Sequence, residues 1–379
     1  MTDKGDGKKV LVAMSGDVDS AVTAVLLKTL GNDVIGLLMQ FCEATPDTTD
    51  AFGTRCCLQT DLPRAQKFCQ RFGIPYYTLR IKDAFKEKVM DHFIHEIMHA
   101  RLSNPCIRCN RDLKFQYLYE KSLELGCDAF ATGHYAQVTK DATSDRVRLH
   151  KAVDPKKDHS YFLYGLNQQM LARALMPLGG LSRAMVQKLA VQFELTVVDK
   201  PGRGQICLVD DERFPKYVEQ NVPEHLRPWG EIKTWDGRTY GRHEGIYNFK
   251  IGQTGLKLNT KDPEKYFVTG FNQKERTVII GEEQHLMHNE LIAKDANWVV
   301  PLNELRPLHC QARLGPRTPE VSCTVVVFEN GQLHVHFAEP QRALTPGQAI
   351  VFYDDTELLG GATIERVAVS LPVGLGSPI

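Results

Sequence analysis

The chain has no run of about 18 apolar residues, so a membrane-spanning helix is excluded. The opening stretch MTDKGDGKK lacks the apolar core of a secretory signal, which points to a cytoplasmic protein. Net charge is missing too: Lys+Arg and Asp+Glu both number 46. A protein that coats nucleic acid indiscriminately needs excess positive charge, and this one has none. A local basic face that reads one folded RNA remains compatible with this balance. There is no internal repeat and no low-complexity tract. Ten cysteines without a secretory signal read as buried, metal-binding or catalytic thiols, not as a disulfide framework.

What is present is a β-α alternation. The run KKVLVAM (8–14) has no polar interruption, as a parallel strand buried on both faces requires. A helix ending at Gly31 follows, then strands at 33–39 and 74–81 around a helix at 61–73. Long helices are expected at 84–102 and 111–126, and a strand at 127–134. Repeated units of this kind build a doubly wound parallel sheet, which binds ligands at the carboxyl ends of its strands. At 379 residues the chain exceeds one core. Its pattern divides into an α/β domain (1–212), a small β-rich domain (213–282) and a C-terminal β-barrel or sandwich (283–379), where runs such as QLHVHFAE and QAIVFYD alternate between turns.

Three stretches carry chemistry. MSGDVDS (14–20) joins the first strand to the first helix, a place where backbone N–H groups and the helix dipole receive phosphate. No Gly-Lys-Ser/Thr follows, so it is not a Walker loop. LSNPCIRCNRDLKF (102–115) holds a CxxC pair, but no second pair exists to complete a four-ligand zinc site. Cys109 is expected just ahead of a helix, flanked by Arg108 and Arg111, a setting that lowers a thiol's pKa. PGRGQICLVDD (201–211) adds Cys207 in a glycine-rich loop. Two thiols suit sulfur transfer, in which one carries a persulfide and the other resolves it as a disulfide.

SGDVDS resembles the pyrophosphate loop of the ATP pyrophosphatases, Ser-Gly-Gly-Val-Asp-Ser, and departs from it at Asp17. A glycine there would allow positive φ and close approach to phosphate. The acid reads as a mild handicap to phosphate or, with Asp19, as an extra Mg²⁺ ligand. With NPCIRCNRDLKF, DAFATGHYAQV, KDHSYFLYGL, QICLV, GRHEGIYNFKIGQ and PGQAIVFYD, nearly the whole chain resembles the tRNA-specific 2-thiouridylases, the MnmA family.

That resemblance implies that ATP adenylates the C2 oxygen of wobble uridine 34 in Glu, Gln and Lys tRNAs. A persulfide then delivers sulfur, obtained from a relay protein or a cysteine desulfurase. It implies Cys109 and Cys207 as the catalytic pair. ATP contacts would come from Ala13, Met14, Ser15, Gly16, Asp17, Val18, Asp19, Ser20, Met39 and Gly133. RNA contacts would come from His134, Lys157, Asp158, His159, Arg313 and Gln348, with Lys157, Arg313 and the arginines near Cys109 meeting phosphates. His159 stands where the family pattern has glutamine. Cys106 stands where many members have aspartate, so Cys106, Cys109 and Cys207 form an alternative ligand set for a [4Fe–4S] cluster. Cys56 and Cys57 read as buried. A small-molecule ligase of the ATP-pyrophosphatase type, like argininosuccinate or GMP synthetases, and a non-catalytic tRNA-binding relative are the competing functions.

Overall fold

A computed structural model describes residues 7–41, 58–141, 144–195, 218–219, 222–223, 227, 229–301 and 307–367. Cys56, Cys57 and the whole PGRGQICLVDD loop with Cys207 lie outside the described residues.

The first layer is a five-stranded parallel sheet in the order β3-β2-β1-β4-β7. Its strands are β1 (Lys9–Met14), β2 (Asp33–Gln40), β3 (Tyr76–Arg80), β4 (Ala129–Ala131) and β7 (Ala174–Leu175). Val10, Leu11 and Val12 are fully buried, which is why β1 reads as an unbroken apolar run. Helix α1 (Val18–Thr29) follows β1, and α2 (Leu58–Arg71) connects β2 to β3. The strand order reverses between β1 and β4, and open sheets of this kind bind ligands in the crevice above the carboxyl ends at such a point.

The expected hairpin-rich regions form two further sheets. One is a four-stranded sheet of β8 (Gly230–Thr234), β9 (Thr239–His243), β10 (Phe267–Asn272) and β11 (Thr277–Gly281). The other contains β12 (Met287–Trp298), β13 (Leu308–Arg313), β14 (Val321–Val327), β15 (Leu333–Arg342), β16 (Ala349–Asp354) and β17 (Glu357–Val367). β12 pairs with both β15 and β17, which closes these six strands into a barrel. Val325, Leu333, Phe352 and Ile364 fill its core.

One hairpin crosses the expected division of the chain. β5 (Gln137–Lys140) and β6 (Val147–His150) leave the parallel sheet, and β6 pairs with the start of β17. Arg148 ties this join with ion pairs to Asp141 and Glu357. Buried side chains of the parallel sheet's helices and of β16 and β17, among them Phe115, Tyr161, Val351 and Leu358, share one core. The α/β layer and the barrel are therefore joined by apolar packing as well as by hydrogen bonds.

Candidate active site

Gly16 turns the chain from β1 into α1 with φ +77, a conformation glycine adopts without strain. Asp17 does not share that geometry. Its φ is −97 and ψ 171, extended backbone open to any residue, so the expectation of a left-handed position at 17 is corrected to position 16. Asp17 is instead the N-cap of α1: its Oδ1 accepts from the Ser20 N–H at 3.0 Å. The Ser15 N–H is held by Ser20 Oγ at 3.2 Å. The N–H groups of Gly16, Val18 and Asp19 have no partner among the described residues. This is an anion cradle with one donor already taken by the chain's own carboxylate.

Gly133 lies over the cradle from the β4 side. A Cβ there would meet the Asp19 carbonyl carbon at 3.0 Å and the Ser20 nitrogen at 3.1 Å, so a side chain would push the two loops apart by a few tenths of an ångström. Ala13 and Met14 end β1 in register with Leu37 and Leu38, and Met39 sits at the end of β2, partly buried. The nucleotide residues expected from sequence are thus gathered on adjacent strand ends.

Asp19 carries the electrostatics. Its Oδ1 accepts from the Tyr135 hydroxyl at 2.8 Å and from Arg183 Nη1. Burial raises its carboxyl pKa above the usual range, against the opposing pull of Arg183, Tyr135 and Lys157. Both bonds fall on Oδ1. Such a carboxylate fits Mg²⁺, which takes one or two carboxylates and completes its shell with phosphate and water. Among the described residues no group of three ligating side chains forms a ready metal cage. Arg183 was not legible as a site residue, since it stands 164 positions from Asp19.

A chain of contacts leads from Asp19 to the cysteine helix. The Tyr135 N–H donates to His159 Nδ1 at 3.2 Å. That fixes His159 as the neutral tautomer protonated on Nε2. Burial pulls its pKa down to about 4. His134, 5.6 Å from His159 between ring centroids, is also held well below its usual value by burial. The His159 ring faces Phe162 at 6.4 Å, and Asn110 Nδ2 donates to the Phe162 carbonyl at 3.4 Å. Asn110 Oδ1 is buried without a partner among the described residues.

Cys109 is the next residue, and its position differs from the expectation. It does not precede a helix; it lies within one. Asn104 caps that helix by accepting from the Cys106 N–H at 3.0 Å, and Pro105 opens it. The α-helical turn Pro105–Arg108 runs into a wider π-helical stretch, Cys109–Phe115, then α-helix Gln116–Glu124. The thiol at the helix N-terminus is therefore Cys106, half-buried, whereas Cys109 is 2% exposed beside Phe85, Val89 and Leu113. Arg108 and Arg111 both pair with Asp112, at 3.5 Å and 2.6 Å. Two of the three proposed cluster thiols share one helix face, three residues apart. The third, Cys207, lies outside the described residues.

The expected RNA residues separate. Lys157 and His159 border the crevice. Asp158 turns the other way: it accepts from Ala152 N, Ser160 N, Ser160 Oγ and Arg313 Nη1, the last at 2.7 Å. Arg313 pairs with Glu320 at 2.6 Å and lies over the Tyr353 ring. Lys151 pairs with Glu320 at 2.7 Å and lies over the same ring. Gln348 donates to the Leu314 carbonyl. In this structure Asp158 and Arg313 bind the barrel to the α/β layer, and Gln348 ties two segments within the barrel.

The fold and this crevice define a class: a HUP-type nucleotide domain carrying two β-rich domains. Residues 8–211 match a family described as tRNA methyl transferase HUP domain, 216–282 its PRC-barrel domain, and 288–364 an aminomethyltransferase beta-barrel domain. The chain belongs to the tRNA-specific 2-thiouridylase family, MnmA, and is an enzyme. A relative from Geobacter metallireducens is 38% identical over 96% of this chain and 98% of its own. One from Carboxydothermus hydrogenoformans is 40% identical over 95% and 98%. One from Symbiobacterium thermophilum is 38% identical over 97% and 95%.

Proposed function

We propose that the enzyme converts the wobble uridine 34 of Glu, Gln and Lys tRNAs to 2-thiouridine in two steps. The cradle at residues 15–20 holds the phosphates of ATP. The uridine C2 oxygen attacks the α-phosphorus, the bond to the β-phosphate oxygen breaks, and pyrophosphate leaves. Mg²⁺, held through Asp19, would neutralise charge on that leaving group. A persulfide on Cys207 then attacks C2 and expels AMP, leaving a base–S–S–Cys207 link. The Cys109 thiol attacks the Cys207 sulfur, releasing the thiolated base and forming a Cys109–Cys207 disulfide. An external dithiol reduces this disulfide, and a relay protein or cysteine desulfurase reloads the sulfur.

The observation that carries this reading is the contact chain from Asp19 through Tyr135, His159 and Phe162 to Asn110, beside Cys109. It supports a link between the loop proposed for phosphate and the helix that carries Cys109. A small-molecule ligase would need no thiol there. The matched domain's description mentions methyl transfer; the two-thiol motif and the near-full-length relatives favour sulfur transfer. Neutral His134 and His159 suit a base held by hydrogen bonds, since neither adds charge at neutral pH.

Cys109→Ser and Cys207→Ser should each abolish 2-thiouridine formation, measured by mass spectrometry of the tRNA, while ATP still binds. Normal thiolation by either variant refutes the assignment. Cys106→Ala separates the persulfide from a cluster held by Cys106, Cys109 and Cys207. Retained activity in iron-free protein fits the persulfide. Loss of activity together with bound iron and sulfide fits the cluster.

A further inference from the structure

Arg183 opens the helix Arg183–Gln192, as its first residue after the Ser182 N-cap. A guanidinium in the first turn is on the wrong end of its own helix, where the dipole favours negative charge. It also reaches across to Asp19 in the first turn of α1, so the same cation faces the positive ends of two helices. Its anchoring is firm. The Arg183 N–H donates to Asp154 Oδ2 at 2.9 Å, and Nη1 donates to the Tyr135 hydroxyl at 3.1 Å as well as to Asp19. The side chains are 15% and 22% exposed, so the pair borders solvent at the cradle. Lys157 lies close enough to act on the same carboxylate.

Asp19 therefore faces two cations, with the Asp17 carboxylate nearby, at helix ends that themselves attract anions. The cradle beside it has three unpartnered N–H groups among the described residues. Resting on the ATP-dependent reading above, a triphosphate in that cradle would bring several negative charges beside Asp19. Like charges about 4 Å apart repel strongly even at an effective dielectric of about 20, so a cation must stand between them. Arg183 is already there, and its fork matches phosphate oxygens.

We propose that Arg183 is a phosphate-binding residue: it exchanges part of its bond to Asp19 for the pyrophosphate end of ATP and steadies pyrophosphate as it leaves. Asp19 is thereby freed to face the cation that accompanies ATP. Loop and cation act together, and the residue that supplies the charge comes from the far end of the α/β domain.

The test uses the full-length enzyme with inorganic pyrophosphate as a competitor of ATP. Arg183→Ala should raise the KM for ATP and the inhibition constant of pyrophosphate about tenfold or more, as loss of a charge-assisted contact implies. The Kd for tRNA should stay unchanged. Arg183→Lys should recover part of both losses, which a purely structural pairing with Asp19 would not predict for pyrophosphate. Wild-type pyrophosphate affinity in Arg183→Ala overturns the proposal. So does equal loss of ATP and tRNA binding with a lowered Tm in both variants, which would mark Arg183 as structural. Failure of the underlying reading looks different: the wild-type enzyme itself would thiolate tRNA without ATP.

Discussion

Two ion-pair clusters flank the segment Lys157–Ser160, and they are finished to different degrees. At the barrel junction, Asp158 and Glu320 meet Arg313 and Lys151, two acids against two bases, roofed by the Tyr353 ring. Ser160 Oγ and backbone N–H groups fill the remaining lone pairs of Asp158. At the phosphate cradle, Asp19 meets Arg183 while backbone donors beside it stay open. The same residue types thus serve two ends. The junction network ties the barrel to the α/β layer, and the cradle keeps backbone donors open among the described residues. Burying an ion pair is tolerable only when the remaining polar groups are answered; at the junction Arg313 Nε is the one buried side-chain atom without a partner among the described residues, whereas the open groups at the cradle are backbone donors.

The comparison is broken most easily at Arg313. Removing it leaves the Asp158 carboxylate, 3% exposed, without its cation. Arg313→Ala should therefore destabilise the protein by about 3–5 kcal/mol, read by denaturant unfolding. If stability holds and only tRNA affinity falls, the junction is an RNA contact and not a brace.

The next largest effect belongs to His159. Its folded pKa of about 4 lies below the ordinary 6.5. A lowered value means the neutral ring contributes its full stability above pH 6.5 and loses it as pH falls toward 4, by up to about 3 kcal/mol. A glutamine oxygen could take the Tyr135 N–H without titrating. His159→Gln should flatten the stability profile between pH 7 and 4, followed by thermal melts across that range. An unchanged acid slope would exclude His159 as its source.

The smallest effect sharpens the other side. Asp17→Gly should cost only a few tenths of a kcal/mol in stability, because glycine is a tolerable N-cap. It should also lower the KM for ATP, since the Ser20 N–H no longer serves an internal carboxylate. A raised KM that excess magnesium restores would make Asp17 a metal ligand instead.

Local features were readable from sequence. The apolar runs of β1 and β2, the glycine at the strand–helix turn and the cysteine spacing each depend on near neighbours. Asp17 was recognised as out of place, but its capping role depends on the φ and ψ of one residue, which a motif does not specify. Cys109 was displaced from the helix start because Asn104 and Pro105 open the helix a turn earlier than the apolar periodicity does. Arg183 and the Asp158–Arg313 pair were invisible in kind. They join residues more than 150 positions apart, and no periodicity carries such information.

The hairpin of β5 and β6 has a consequence for how the chain is made. Its inner strand, Val147–His150, pairs with β5 on one side and meets its partner on the other side only at Glu357 and Leu358, about 200 residues later. At about 5–20 residues per second, a ribosome needs about 10–40 s to reach that partner. Through that interval the nascent α/β domain displays an unpaired strand edge, open to pairing with another chain. Completion of the N-terminal domain is thus tied to synthesis of the C-terminal barrel, and a truncated product carries an aggregation-prone edge in place of a finished catalytic half.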